Sequence, residues 1–377
     1  MIPEEPPVAP RPHRRRRSPL LPMTAIVVVV AAAGSLGVIR AANARTADIE
    51  RVAGLGDVLA VKGDNAVRTA GDRVPVGTLD LDTPVTYGTE NYLLVGSDSR
   101  EGFAPDTDFI GSTADVGGQR SDTMMILHQE GNGGASLISV PRDLWVPIYG
   151  TSRSNRVNTA FSDGPLTLVA TISEALDIPI HHYVEVDFQG FQRIVDDIGG
   201  VEICVDRTAR DTHSGLWLDI GCQTLTGDRA LAYARSRYYQ EVGDDGKWRT
   251  DGRADLGRIE RQQSFLRAAI GGALRKIESD PFSTGDTLAA ITDSVKIDDA
   301  LEPIRAAQVL RQAFQAGLRT FALPVYNDTV GSAAVLRLSD NAEPLLDYLR
   351  GTGPAPDEFD TSADTGGDAP TTTPPGG

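Results

Sequence analysis

Lysine is nearly missing from this chain: its 377 residues hold only Lys62, Lys247, Lys276 and Lys296. The rest of the positive charge is arginine, set in a chain of formal net charge −16. That balance excludes nucleic acid as a partner, because phosphate-backbone binding needs a broadly basic face. Arginines within an acidic chain suit local recognition of forked anions instead. Cysteine is equally scarce, with Cys204 and Cys222 alone, and no Cys/His spacing fits zinc. There is no G-x-x-x-x-G-K-[ST] loop, which excludes a Walker nucleotide site. The absence of a G-x-S-x-G elbow argues against a serine hydrolase. His181 and His182 are adjacent on an expected strand, so their side chains face opposite ways and cannot share one metal.

The two ends of the chain are not globular in composition. Residues 1–19 are rich in Pro and Arg, with Arg14 to Arg17 in one run, and form an arm that cannot fold alone. Leu20 to Ile39 carries no charge, and twenty helical residues span about 30 Å, the hydrocarbon thickness of a bilayer. The basic run places the arm in the cytoplasm and everything after Arg40 outside. The competing reading is a cleaved signal peptide ending near Ala42-Asn43-Ala44; the length of the apolar segment favours a retained anchor. Residues 41–84 read as an extracytoplasmic stalk, 85–350 as the catalytic domain, and 351–377 as a disordered tail of Gly, Pro, Thr and Asp. Outside the cytoplasm Cys204 and Cys222 pair as one disulfide; two free buried thiols are the alternative.

The informative stretch is Asn91 to Leu144. Tyr92–Val95, Thr123–Leu127 and Leu137–Val140 are short apolar runs bounded by Gly, Ser, Asp or Pro, the look of buried strands. Further on, Pro165 opens a helix with apolar residues at helical spacing, Ile180–Val186 and Val201–Val205 read as strands, and Phe188–Ile198 as a helix closed by Gly199-Gly200. Thr226 caps a helix through Ala234, Gln240–Gly252 is a charged loop, and Asp255 caps a long helix to Lys276. Two amphipathic helices are expected within 285–316, a final strand at Arg319–Val325 and a last helix before Leu349. The alternation predicts an α/β fold: a three-layer α-β-α domain around a mainly parallel, or mixed, sheet, preceded by one transmembrane helix.

Charge collects at the ends of these runs, where open α/β sheets bind ligands. Asp98 and Asp122 are two carboxylates on neighbouring strands, suited to a magnesium ion that keeps waters and takes phosphate oxygens. Arg100, Arg120, Arg142, Arg235, Arg237 and Arg261 are candidate phosphate clamps through bidentate hydrogen bonds. Arg235 and Arg237 can share a site only if the chain turns between them, since a helix would point them apart. Asp143 is a candidate general base. Gln262 and Gln263 are candidates for hydrogen bonds to phosphate or sugar, and Gln263 falls within the apolar stripe of its helix. The bland readings are a turn cap for Asp98, an ion pair for Asp122 and solvated surface for most arginines.

L-V-G-S-D-S-R, R-S-D-T-M and S-V-P-R-D, followed by H-Y-V-E-V-D-F, Y-A-R-S-R and E-R-Q-Q-S-F-L, resemble the signature of the LytR-CpsA-Psr family. The resemblance runs from about Asn91 to Leu266. It implies a bacterial envelope enzyme that takes a glycopolymer from a prenyl-pyrophosphate carrier and attaches it to peptidoglycan by a phosphodiester. It further implies Mg²⁺ on Asp98 and Asp122, the arginines around the pyrophosphate, and an apolar tunnel for the prenyl chain between sheet and helices. The alternatives are a prenyl-pyrophosphate hydrolase, which needs no glycan acceptor, and a non-catalytic lipid-binding envelope regulator.

Overall fold

A computed structural model describes residues 49–60, 88–97, 121–131, 133–251, 254–279 and 293–356. Glu50–Val52 forms β1, Glu90–Ser97 β2, Ser121–Gln129 β3 and Ala135–Val140 β4. Trp145–Pro147 (β5) pairs with Ser154–Arg156 (β6), and α1 runs from Pro165 to Leu176. His182–Val186 is β7, Phe188–Asp197 α2 and Val201–Val205 β8. Ala209–Asp211 (β9), Leu216–Leu218 (β10) and Gly221–Leu225 (β11) precede α3, Gly227–Arg235. Gln240–Val242 (β12) and Trp248–Thr250 (β13) lead to the long α4, Ala254–Ser279. Val295–Asp298 is β14, Pro303–Ala316 α5 and Arg319–Ala322 β15. The hairpin of Val325–Val330 (β16) and Ala333–Leu338 (β17) comes before α6, Glu343–Arg350.

The central sheet has seven strands in the order β1-β14-β7-β2-β3-β4-β15. Three of its pairings are parallel (β1 with β14, β7 with β2, β4 with β15) and three antiparallel. The sheet is therefore mixed rather than mainly parallel. The cause is visible between β3 and β4: residues 130–134 are too short a connection for a crossover and can join only antiparallel neighbours. Alternation along the strands builds two cores. Leu93, Val95, Met124, Ile126, Ile138 and Val140 pack with α1 and α6 on one face. Tyr92, Leu94, Met125, Leu127, Leu137 and Val184 pack with α2, α3 and α4 on the other. The three layers expected from the α/β alternation are present.

Several elements differ from the sequence expectation. The charged segment after Gln240 is the β12–β13 hairpin. Within 285–316, the described part is β14 followed by one helix, α5. β14 is only four residues long, but its V-K-I-D pattern buries Val295 and Ile297 between β1 and β7. The strand opened by Arg319 stops at Ala322 and is not the last, because β16 and β17 follow, turning through Gly331 at φ 64°. Asp255 lies inside α4, which begins at Ala254. β1, from the expected stalk, adds an edge strand to the central sheet. The expected transmembrane helix at 20–39 lies outside the described residues, as do most of the stalk and the tail after Ala355-Pro356; among the described residues no helix is long and apolar enough to cross a membrane.

Cys204 and Cys222 stand directly opposite one another on the antiparallel pair β8–β11 and form a disulfide. Gly227 opens α3 against the backbone of α2. A Cβ there would lie 2.5 Å from the Gln192 carbonyl oxygen, so only glycine permits this helix contact. The same start is held by the Asp196 carboxylate, which accepts the Gly227 N–H at 2.7 Å.

Candidate active site

The register of the sheet brings one set of strand ends together. Ser97 of β2 pairs with Ser121 of β3, Met124 of β3 with Val140 of β4, Gly96 with Val186 of β7, and Ser139 with Ala322 of β15. Asp98 directly follows β2 and Arg142 lies two residues beyond β4. Gly96 pairs with Thr123 but Ser97 with Ser121, so Asp122 is the extra residue of a β-bulge. Bulges recur where a strand must re-aim a side chain beside a site. Asp98, Arg100 and Arg120 lie outside the described residues, and so does the side chain of Asp122. The hydroxyls of Ser121 and Thr123 flanking it are buried and have no hydrogen-bond partner among the described residues. Such hydroxyls are hard oxygen donors, the kind a magnesium ion takes. Among the described residues, no group of three His, Cys, Asp or Glu is placed to hold a metal.

Arg235 ends α3, and Ser236 leaves the helix at φ −63°, ψ 120°. The chain therefore turns between Arg235 and Arg237, the condition for the two to share a site. Arg235 is buried, its guanidinium carbon 5.1 Å above the ring of Phe188, which opens α2 just past β7. The turn is held by Asp211, at the end of β9. One carboxylate oxygen accepts the Ser236 hydroxyl at 2.8 Å and the N–H groups of Arg237 and Tyr238 at 2.9 and 2.8 Å. The other accepts the His213 N–H at 2.8 Å. Burial by itself would push this carboxyl up, but these donors outweigh it and hold it below the usual carboxylate range.

The first turns of α4 complete the cluster. Arg258, Arg261 and Gln262 are all buried there. Arg261 donates to Asp251 Oδ2 at 2.9 Å and to the Ser236 carbonyl at 3.2 Å, and its guanidinium lies 4.4 Å over the Tyr239 ring. Gly257 makes room for this pair: a Cβ there would sit 2.1 Å from Asp251 Oδ2. Gln262 donates to the Ala234 carbonyl at 3.3 Å. Gln263 donates to the Phe321 carbonyl at 3.2 Å and to Ser139 Oγ at 3.4 Å, tying α4 to the ends of β4 and β15. Both amides are thus engaged with protein groups, which is the buried polar role that Gln263's place in the apolar stripe suggests. The start of α4 adds the positive end of its dipole to the same edge.

Arg142 pairs with Asp143 at 3.2 Å, and the other oxygen of Asp143 faces Arg156 Nε at 3.2 Å. Asp143 is held between two guanidiniums, an arrangement that orients Arg142 more than it frees a base. Sequence reasoning missed Asp211, Asp251 and Tyr239. The available signal was an acidic residue closing a period-two strand, Ala209–Asp211, and an acidic residue just ahead of a long helix.

A family model described as the LytR_cpsA_psr family matches residues 62–344. "Probable cell wall biosynthesis protein LcpB" of Corynebacterium glutamicum is 33% identical over 271 residues, 70% of this chain and 62% of that protein. "Polyisoprenyl-teichoic acid--peptidoglycan teichoic acid transferase TagU" of Bacillus cereus is 36% identical over 181 residues, 47% of this chain and 54% of that one. The chain thus covers 62% and 54% of the length of these curated relatives. Among solved structures, a LytR-Csp2A-Psr enzyme from Actinomyces oris superposes with a TM-score of 0.54 at 26% identity, covering 69% of this chain and 89% of that one. TagT bound to LI-WTA shares the fold, with a TM-score of 0.51 at 22% identity over 70% of this chain and 90% of its own. The matched stretch takes in six of the seven strands of the central sheet and helices from both of its faces, and on that ground the chain belongs to the LytR-CpsA-Psr family.

Proposed function

We propose that this chain is a membrane-anchored phosphotransferase that moves a glycopolymer from a prenyl-pyrophosphate carrier onto peptidoglycan, with Mg²⁺ as its cofactor. The observation that carries the reading is the gathering of Arg142, Arg235, Arg237, Arg258 and Arg261 around the sheet edge where Asp98 and Asp122 leave their strands. Several guanidiniums gathered at one edge offer forked hydrogen bonds to a pyrophosphate, which carries at least two charges. The relatives named for polyisoprenyl-teichoic acid and peptidoglycan support the same substrate class.

The residues divide the work. Asp98 and Asp122, with the hydroxyls of Ser121 and Thr123 nearby, would hold the metal, which supplies charge neutralisation on the phosphate oxygens. Arg235 and Arg237 grip the pyrophosphate, their turn fixed by Asp211. Arg142, oriented by Asp143, reaches it from β4. A sugar hydroxyl of the glycan attacks the phosphorus bearing the polymer, and prenyl phosphate leaves. Loose phosphoryl-transfer transition states need positioning and charge stabilisation more than a strong base, which agrees with the paired state of Asp143. The uncharged segment 20–39 behind the Arg14–Arg17 run anchors the chain, with the domain on the extracytoplasmic side.

The test is turnover of a prenyl-pyrophosphate-linked sugar by the full-length chain in detergent, with Mg²⁺ or chelator, and with or without peptidoglycan fragments. Metal-dependent transfer to the glycan, lost in Asp122→Ala and Arg235→Ala, is expected. Release of prenyl phosphate without any glycan acceptor would replace this reading with a hydrolase, and binding without turnover with a lipid-binding regulator.

A further inference from the structure

The sheet β10-β9-β12-β13 sits beside the arginine cluster, joined to it through Asp211. Its register separates its two faces. Trp217 pairs with Arg210, Arg210 with Gln240, Gln240 with Thr250, and Val242 with Trp248. Residues paired across antiparallel strands share a face, so Trp217, Arg210, Gln240, Thr250 and Trp248 line one side. Leu216, Leu218, Ala209 and Asp211 line the other, all buried against the core. The tryptophan side is therefore the solvent side. Trp217 is 50% exposed there.

This outer face is organised. The two tryptophan rings meet edge to face at 5.6 Å. Arg210 lies 4.1 Å over Trp248 and donates to Gln240 at 3.0 Å. The Trp217 indole N–H is satisfied by Asp219 at 3.0 Å, which leaves the ring face for a ligand. Trp217 stays half exposed despite its contact with Trp248, and the pair makes an aromatic patch of the kind that marks binding surfaces. The π-face of an indole is negative and attracts the polarised C–H face of a pyranose. Arg210, Gln240 and Thr250 offer N–H and O–H groups to ring hydroxyls and acetamido carbonyls. The neighbouring charges are paired among themselves, Arg207 with Asp244 at 2.8 Å and Arg249 with Asp245 at 3.2 Å. Arg210 keeps its charge on this face, but the groups around it are neutral or aromatic, which suits a sugar strand without backbone charge.

We infer that this face is the platform for the acceptor glycan strand, built of N-acetylated hexosamines; the inference rests on the function proposed above and assigns its acceptor a place. The connection to the arginines is direct. β9 ends at Asp211, which fixes Arg237, and β12 begins three residues after Arg237. Tyr238, 52% exposed and tilted against the His213 ring at 4.1 Å, lies between the two. A strand resting on Trp217 is led past Tyr238 toward the pyrophosphate clamp.

The chain has only three tryptophans, Trp145, Trp217 and Trp248, so emission reports on the platform. The full-length chain in detergent is titrated with soluble uncross-linked peptidoglycan strands and, separately, with poly(glycerol phosphate). The strands are expected to change the emission and the polyanion not. Trp217→Leu and Trp248→Leu are each expected to weaken strand binding about tenfold. In the transfer assay both should raise KM for the strand by a similar factor and leave KM for the prenyl-linked donor alone. Wild-type strand affinity in both variants, with melting curves showing them folded, would overturn the platform, as would a rise confined to the donor's KM. Strand binding by a chain that transfers nothing would remove the proposed function and keep the platform; transfer with unaltered strand KM in both variants would do the reverse.

Discussion

Asp211 and Arg237 lie 26 residues apart in the chain, yet the carboxylate of the first accepts the backbone N–H of the second at 2.9 Å. The same carboxylate takes the N–H groups of His213 and Tyr238 and the hydroxyl of Ser236. One buried acid thus shapes the turn that carries the clamp and ties it to the tryptophan-bearing sheet. Asp211→Ala would strand these donors in a buried place, a loss of about 3 kcal/mol, read as a lower urea midpoint. Because the folded carboxyl titrates below its unfolded value, its contribution is present above about pH 4 and is lost as pH falls through the folded value. Stability of the wild type should therefore fall more steeply in acid below about pH 4 than that of Asp211→Asn; equal slopes would show that Asp211 carries no such linkage.

His128 gives a second acid response at a higher pH. It is buried in β3, with Nδ1 2.7 Å from Asn91 Oδ1 and its ring 4.3 Å from that of Tyr348. Burial, opposed by nearby Glu130, brings it down to about 4. The unfolded imidazole titrates near 6.5, so the unfolded chain binds the extra proton between the two values. Stability is then complete above about pH 6.5 and declines toward pH 4, by about 3 kcal/mol. His128→Asn, which keeps a donor toward Asn91, should flatten the denaturation midpoint across that window. A slope unchanged from wild type would assign the acid sensitivity elsewhere.

What the sequence disclosed follows from how local each signal is. Val201–Val205 is a strand over its expected bounds, and α1 starts at the proline that marked it. The need for a turn between Arg235 and Arg237 was legible because a helix would separate them. The sense of the strands was less so, since β14 is four residues long and reverses against β7 through contacts more than a hundred residues distant. Asp211 was out of reach for a similar reason: its role is set by Ser236 to Tyr238, and no local pattern ties those segments together. The β12–β13 hairpin reads as a loop because its strands have three residues each and its outer face carries polar groups with one tryptophan.

The disulfide should add stability without being needed for the fold. Cys204 and Cys222 are already opposed on a hydrogen-bonded strand pair, and the loop they close spans 18 residues. Chain-entropy reasoning puts the gain at about 3 kcal/mol. Both cysteines lie on the exposed side of their strands, so mild reductant should reach them in the folded protein. Guanidinium titration with and without dithiothreitol, alongside Cys204→Ser/Cys222→Ser, should give the same lowered midpoint in the two cases. A reductant-insensitive wild-type midpoint, with the thiols reacting freely, would show that the bond contributes nothing.

Arg261 separates charge from geometry at the candidate site. Its guanidinium makes three planar contacts at once: Asp251, the Ser236 carbonyl and the Tyr239 ring. Lysine supplies the same charge but neither the fork nor the stacking plane. If the positive charge alone stabilised the leaving phosphate, Arg261→Lys would retain most of the transfer activity. If the arginine acts by holding the turn at Ser236 and so aiming Arg235 and Arg237, the lysine variant should fall by about 100-fold in kcat/KM, the scale of losing one preorganised electrostatic partner. Asp251→Asn should then show a smaller loss in the same direction, since it weakens the fork without removing it. The contacts favour the second outcome, because each arm of Arg261 is already committed to the protein in a direction that fixes the loop.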